Sequence, residues 1–232
     1  MRIAMWSGPR NLSSAMMYAF GNRTDCDPWD EPFYGAYLAQ SGLDHPMQEV
    51  ILAAQPAGAV EVIAGLAKPP SRPVQYYKLM SHHMLPGFPL DWAKACTNVH
   101  LLRHPARVIA SYAAKRDVIT LDDIGFAQAQ RIHAALPGPV IDSADIRADP
   151  EAMLRALCAA INLPFDPAML SWPSGPKSFD GPWAPHWYDA VHRSTGFAAT
   201  EGPLPEVAAQ HCAVLEAALP IYETMRAARL RL

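Results

Sequence analysis

Arg2-Ile3-Ala4-Met5-Trp6-Ser7-Gly8-Pro9-Arg10-Asn11-Leu12-Ser13-Ser14 opens the chain, and its reading decides the fold. Residues 2–6 are a short run, apolar after Arg2 and ended by Ser-Gly-Pro, the form of a strand buried on both faces of a parallel sheet. A tight turn follows. From Ser13 to Phe20, Ala15, Met16, Met17 and Ala19 crowd into a helix that Asn11 or Ser13 would cap. Strand, tight loop and helix is the repeating unit of a parallel sheet covered by helices.

The same unit recurs downstream. Thr97 to Leu102 reads as a strand, and Pro105 then opens a helix at the first-turn position where proline is tolerated. Val140 and Ile141 end a short strand, and Asp149-Pro150-Glu151 starts a helix running to about Asn162. With a further strand over Val74–Met80, the expected fold class is α/β: three layers, α/β/α, around a central parallel sheet. Leu163 to Trp187 differs, with six prolines, three tryptophans and no sustained periodicity. It reads as a long ordered loop, and such loops serve as lid-like covers over active sites or as surface straps. Pro205 to Leu232 reads as a C-terminal helix.

With 232 residues, 50% of them hydrophobic, the chain can bury one substantial core, so a single domain over residues 1–232 is expected. A formal net charge of −3 offers no general field for a polyanion, which argues against nucleic acid as a partner. Any anion must be held by local geometry. Cys26, Cys96, Cys158 and Cys212 are scattered without a C-x-x-C pair, so neither a zinc site nor a disulfide framework is indicated. Pro9 and Arg10 interrupt the opening apolar stretch, and no window reaches the ~20 apolar residues a span requires. A cytoplasmic protein without membrane insertion is the expectation.

A loop between a first strand and a first helix aims backbone N–H groups and the positive helix end at what lies above it, usually a phosphate. Here Arg10, Asn11, Ser13 and Ser14 add a cation, a carboxamide and two hydroxyls. The loop is not a Walker A motif, since G-x-x-x-x-G-K-[ST] is absent. Capping by Asn11 and the serines, with Arg10 a surface charge, is the simpler reading of this loop alone. A second cluster weighs against it: Leu101-Leu102-Arg103-His104-Pro105-Ala106-Arg107-Val108-Ile109-Ala110-Ser111-Tyr112 places a strand-end guanidinium and a helix hydroxyl eight residues apart. A guanidinium fork grips a phosphate bidentately and a nearby hydroxyl adds a donor.

These two segments resemble the sulfotransferases that use 3′-phosphoadenosine-5′-phosphosulfate (PAPS), a family whose fold is related to the P-loop nucleotide kinases. Arg10, Ser13 and Ser14 fall on positions of that family's 5′-phosphosulfate loop, while Asn11 and Leu12 replace the commoner Ser-Gly pair. Arg103 and Ser111 match the two residues that hold the 3′-phosphate, with His104 in place of the usual Asp. The likeness is greatest to the bacterial-type branch with an Arg-containing first loop and an acidic pair on the second strand, as in Asp30-Glu31-Pro32-Phe33-Tyr34.

The resemblance implies PAPS as co-substrate, no metal, and transfer of a sulfuryl group to a hydroxyl of a small acceptor. Negative charge then grows on the bridging oxygen of the leaving nucleotide, where Arg10 and donors from the loop, Asn11 to Ser14, would stabilise it. Glu31 is the first candidate for the base, against the simpler reading that the acidic pair is a structural partner of a nearby arginine. His82 is the rival base, ahead of His83, adjacent histidines at a strand end pointing in opposed directions. Lys78 would help at the leaving oxygen or snorkel to solvent. Lys177, in Ser174-Gly175-Pro176-Lys177, is similar to a late basic loop of the family that closes over the nucleotide. Trp172, Trp183 and Trp187 would stack on adenine, shape the acceptor pocket or pack, and Tyr34, Tyr37 and His45 suggest an amphipathic acceptor such as a sugar or an alcohol. The oligomeric state is open between a monomer and a homodimer.

Two other readings share the opening unit. A P-loop nucleotide or small-molecule kinase would need a Walker lysine and Mg²⁺ ligands that the sequence lacks. A non-catalytic nucleotide-binding module would keep the cradle and lack the base.

Overall fold

The computed structural model describes residues 1–114 and 116–232. β1 (Arg2–Ser7), β2 (Cys26–Asp30), β3 (Val74–Met80), β4 (Thr97–Leu102) and β5 (Val140–Asp142) form one sheet of order β2-β3-β1-β4-β5, every neighbouring pair parallel. β3 and β4 occupy the segments expected from the sequence, and β1 runs one residue further. The helices are α1 (Ser13–Gly21), α2 (Tyr34–Ser41), α3 (Gln48–Ala54), α4 (Ala59–Leu66), α5 (Pro105–Ala113), α6 (Leu121–Ile124), α7 (Phe126–Ala135), α8 (Ser143–Ala148), α9 (Pro150–Ala160), α10 (Ala184–Trp187), α11 (Asp189–His192) and α12 (Cys212–Ala227).

Alternation along the strands splits the core into two layers. Ile3 and Met5 face one side, packing with Met16, Met17 and Phe20 of α1 and with Leu154 and Leu157 of α9. Ala4 and Trp6 face the other, against Val62 and Leu66 of α4 and Ile132 of α7. A third cluster at the β5 side joins Leu102 and Val140 to Val108 and Ile109 of α5 and to Ala218, Tyr222 and Met225 of α12. Each buried side chain of this size stabilises the fold by about 1.5–3 kcal/mol, so both layers are held by transfer from water.

Strand order also places the site. The chain leaves β1 toward β2 on one side and leaves β4 toward β5 on the other, yet β1 and β4 are neighbours. Their carboxyl ends therefore flank the crevice at which open α/β sheets bind ligands. The loop carrying Arg10 and the strand end carrying Arg103 are the two sides of that crevice.

Three local expectations differ from what is found. Leu12, not Asn11 or Ser13, is the residue before α1, and no side chain caps the helix. The segment from Leu163 to Trp187 is not wholly irregular: it carries a 3₁₀ turn over Pro167–Leu170 and α10, and its Trp172 and Trp183 belong to the buried core, where their large apolar area is worth more than a surface position. The C-terminal helix starts at Cys212 instead of Pro205, after a non-helical stretch and a short 3₁₀ turn over Ala209–His211. Among the described residues no single helix is long and apolar enough to cross a membrane, although α3 and α4 pass that length and composition test together across a 52° bend.

Candidate active site

The loop after β1 is built for close approach. A Cβ on Gly8 would stand 2.8 Å from the carbonyl oxygen of Ile124, so only glycine lets the end of α6 pack on the loop. Arg10 and Leu12 take left-handed backbone angles, φ 62° and 74°, at a cost of about 1–3 kcal/mol each. Leu12 thus occupies a conformation that glycine adopts at little cost and leucine rarely takes. Asn11 Nδ2 donates to the Leu101 carbonyl at 3.2 Å, tying the loop to β4, while its buried Oδ1 accepts from no group among the described residues. The first N–H groups of a helix have no intrahelical acceptor, and with no cap on α1 those at Ser13, Ser14 and Ala15 are left at the wall of a cavity that these residues line. Unpaired N–H groups at the start of a helix are the geometry that suits an anion.

Arg10 and Arg103 meet in the crevice. Arg103 Nη1 donates to the Arg10 carbonyl oxygen at 2.7 Å, and Arg10 Nε donates to Ser111 Oγ on α5 at 2.9 Å. Burial and the charge of Arg103 pull the Arg10 guanidinium below its ordinary value, so the two cations raise each other's demand for an anion. Arg103 also donates Nη2 to Glu201, and its buried Nε donates to no acceptor among the described residues.

Across the cavity stands a buried charged cluster at the carboxyl ends of β2 and β3. In-register pairing sets Asp30 beside Lys78. Lys78 Nζ donates to Asp30 Oδ1 at 3.0 Å, to Glu31 Oε1, and to Tyr188 Oη at 2.6 Å, so all three ammonium hydrogens are used. Tyr188 Oη donates in turn to Asp30 at 2.7 Å, and the Gly181 N–H donates to Asp30 Oδ2 at 2.9 Å. Glu31 has φ 40°, a strained angle for a carboxylate residue, held by its N–H on the Lys78 carbonyl at 3.0 Å and by Gln55 Nε2 on its own carbonyl at 3.1 Å. Burial, the largest influence, pushes the Glu31 carboxyl above its usual range; Lys78 pulls down, Asp30 pushes up, and the result is a raised value. For Lys78, burial pulls the ammonium down, but Asp30 and Glu31 outweigh it and keep it charged.

His82 and His83 do not point apart as an extended strand would require. They sit in a 3₁₀ turn, Ser81–His83, with rings 4.4 Å apart, and both line the cavity. His83 Nε2 lies 3.9 Å from Glu31 Oε2, beyond hydrogen-bond range, and its ring stacks between Tyr34 at 4.5 Å and Tyr37 at 4.8 Å. Burial depresses both imidazoles, His82 to about 3 and His83 well below the ordinary value, so both are neutral at physiological pH. With Tyr34, His45 and Trp187 they give the cavity, about 300 Å³, an aromatic share of its wall.

Of the residues singled out in the sequence, Arg10, Asn11, Leu12, Ser13, Ser14, Glu31, Lys78, His82 and Arg103 line this one cavity, and Ser111 touches it through Arg10. Lys177 is elsewhere: its Nζ donates to the Pro173 carbonyl and lies over the Tyr18 ring, outside the cavity lining. The acidic pair has a lysine, not an arginine, as its partner, and Lys78 is buried instead of reaching solvent. Four contributors escaped the sequence reading. Tyr188 lies 110 residues from Lys78, and Glu201 lies 98 from Arg103, so no local pattern marks either. Arg107 was in the quoted segment without a role, and it faces Glu201 with Arg147.

A parallel sheet with an uncapped helix N-terminus and converging arginines at its switch point is a P-loop-like architecture. The chain belongs to the sulfotransferase domain family, whose profile matches residues 1–229. The structure is similar to the sulfotransferase domain of the olefin synthase of Synechococcus PCC 7002, with a TM-score of 0.51, 17% identity and 94% of each chain covered. It is likewise similar to the sulfotransferase domain of the curacin biosynthetic pathway, TM-score 0.50 at 14% identity, covering 99% of this chain and 92% of that one. At such identities the likeness speaks to fold. Two proteins of Arabidopsis thaliana are similar in sequence: branched-chain-amino-acid aminotransferase-like protein 2, 32% identical over 230 residues, and protein 1, 33% identical. The match covers 97% of this chain but 41% of either relative, so the chain spans about two fifths of their length.

Proposed function

We propose that this chain transfers the sulfuryl group of PAPS to the hydroxyl of a small acceptor, without a metal. The observation that carries the reading is that Glu31 and the loop Arg10–Ser14 line one cavity. The donor set fits a bisphosphorylated nucleotide. The uncapped N–H groups of α1 suit the 5′ end, and the Arg103 fork, with its idle Nε, suits a second phosphate beside Ser111.

In this reading Glu31 takes the proton of the acceptor hydroxyl as its oxygen bonds to sulfur. The bond from sulfur to the bridging oxygen breaks, and that oxygen keeps the electron pair on the 5′-phosphate. Arg10 leaves Ser111 to meet the growing charge, joined by the N–H groups of Ser13 and Ser14 and their hydroxyls. Lys78 serves the reaction through Glu31, because its hydrogens are engaged, and it reaches the leaving oxygen only by releasing one of them. A raised carboxyl is the better base near neutrality, and a neutral His82 with a depressed value is the weaker one. Tyr34, His45, His83 and Trp187 suit an acceptor with an apolar or aromatic body beside its hydroxyl.

The test is to incubate the protein with ³⁵S-labelled PAPS and a panel of aliphatic, aromatic and sugar alcohols. Label moving to an acceptor, lost in Glu31→Gln, supports the reading. Label that stays on the nucleotide with every acceptor class counts against it.

A further inference from the structure

Glu201 sits among three arginines drawn from three different elements. Arg103 at the end of β4 donates Nη2 to its carboxylate, Arg147 of α8 approaches Oε1 with Nη1 at 2.8 Å, and Arg107 of α5 approaches Oε2 with Nε at 3.3 Å. The strap around it is gripped by the same side chains: Arg107 Nη2 donates to the Gly202 carbonyl and Arg147 Nε to the Ala199 carbonyl at 2.8 Å. The Glu201 side chain is only 8% exposed, and the arginines only 16–19%. Three guanidinium groups share one carboxylate, which leaves an excess of two positive charges in a poorly solvated place. A phosphate monoester, −1.5 to −2 near neutrality with three acceptor oxygens, matches that excess better than a carboxylate does.

Resting on the donor reading above, we infer that Arg103, Arg107 and Arg147 form a phosphate socket in which Glu201 is the internal occupant, and that the 3′-phosphate of the nucleotide displaces Glu201 and frees the strap 199–202. The geometry of Arg103 sets up the competition. Its Nη1 donates to the Arg10 carbonyl, and both two-pronged edges of a guanidinium, Nη1 with Nη2 and Nε with Nη2, include the Nη2 that donates to Glu201. A phosphate gripped through the idle Nε and the second hydrogen of Nη2 stands against the Glu201 carboxylate on the same nitrogen, and repulsion between the two anions favours release of the carboxylate. Gly196 and Ala198 line the nucleotide cavity just before this strap, so its release changes the cavity wall. Burial pushes the Glu201 carboxyl up, but Arg103, Arg147 and Arg107 outweigh it and hold it below its usual value, so it is an anion near neutrality.

The experiment compares adenosine 3′,5′-bisphosphate with adenosine 5′-monophosphate by calorimetry on the wild type and on Glu201→Gln. The expected result is that Glu201→Gln binds the bisphosphate several-fold to about tenfold tighter while its affinity for the monophosphate is unchanged. Equal tightening of both ligands, or none for the bisphosphate, overturns the displacement while leaving the donor reading standing. Failure of the bisphosphate to bind either protein overturns the donor reading and this inference together. Should Glu201→Gln not fold, amide hydrogen exchange on the wild type decides: saturating bisphosphate, and not the monophosphate, should speed exchange at Thr200–Gly202. Slower exchange there contradicts displacement, since it means that the strap closes on the ligand.

Discussion

Lys78 and Asp30, paired in register across β2 and β3, join their side chains at 3.0 Å with both of them 1% exposed. A lysine pointing inward beside two carboxylates is a poor way to stabilise a sheet and a good way to hold a carboxylate at a fixed place. Breaking a buried charge group leaves its partners uncompensated, and the loss exceeds what the intact group contributes.

Lys78→Met should therefore lower stability by about 3–5 kcal/mol, because Asp30 and Glu31 are left buried against each other. Urea unfolding followed by fluorescence reads this. A change below 1 kcal/mol would mean that the cluster is solvated in solution.

Tyr188→Phe removes a hydroxyl that accepts from Lys78 and from Trp183 Nε1 and donates to Asp30, leaving three buried polar groups short of a partner. The expected loss is about 1–3 kcal/mol, read in the same unfolding experiment. A neutral effect would show that the hydroxyl is replaceable by water.

Glu31→Gln should leave nucleotide affinity within about twofold and reduce turnover by about 10²–10⁴-fold, the usual contribution of a general base. The raised Glu31 carboxyl gives the wild-type rate an acid limb: the rate rises with pH through a value above the ordinary 4.5 and then levels, as the base must be ionised. A rate independent of pH over this range would remove Glu31 from the proton transfer.

Stability should also fall as the solution is made acidic from pH 7.5 to 5.5. The buried imidazoles of His82 and His100 lie at about 3 and about 4 in the folded chain, both depressed by burial first, against an ordinary 6.5. Below 6.5 the unfolded chain takes up protons that the folded chain refuses, so each contributes stability above 6.5 that is lost as pH falls toward the folded value, at up to about 1.4 kcal/mol per pH unit. Urea midpoints at the two pH values read the loss. Equal midpoints would mean that these rings are open to protonation in the native state.

The sheet was legible because its strands are short apolar runs with sharp ends: Val74–Met80 and Thr97–Leu102 stand as read. Arg10 and Arg103 were legible for a related reason, since each follows such a strand within a few residues and the switch point does the rest. What remained hidden depends on distance along the chain. Nothing near Tyr188 marks it as the third partner of Lys78, and Glu201 reads as one more acidic residue in a proline-rich strap until the fold brings Arg103, Arg107 and Arg147 around it. Lys177 stands apart from that group: it lies over the Tyr18 ring, outside the cavity lining.

We propose that one crevice holds both phosphate-bearing ends of a sulfuryl donor without a metal, and thermal unfolding is the measurement that decides it. Adenosine 3′,5′-bisphosphate in the presence of EDTA should raise the melting temperature in proportion to the logarithm of its concentration, and Arg103→Ala should weaken the effect by about 10–100-fold in ligand concentration, the loss of a charge-assisted contact of about 1.5–3 kcal/mol. Stabilisation by Mg-ATP alone, with none from the bisphosphate, would contradict the account.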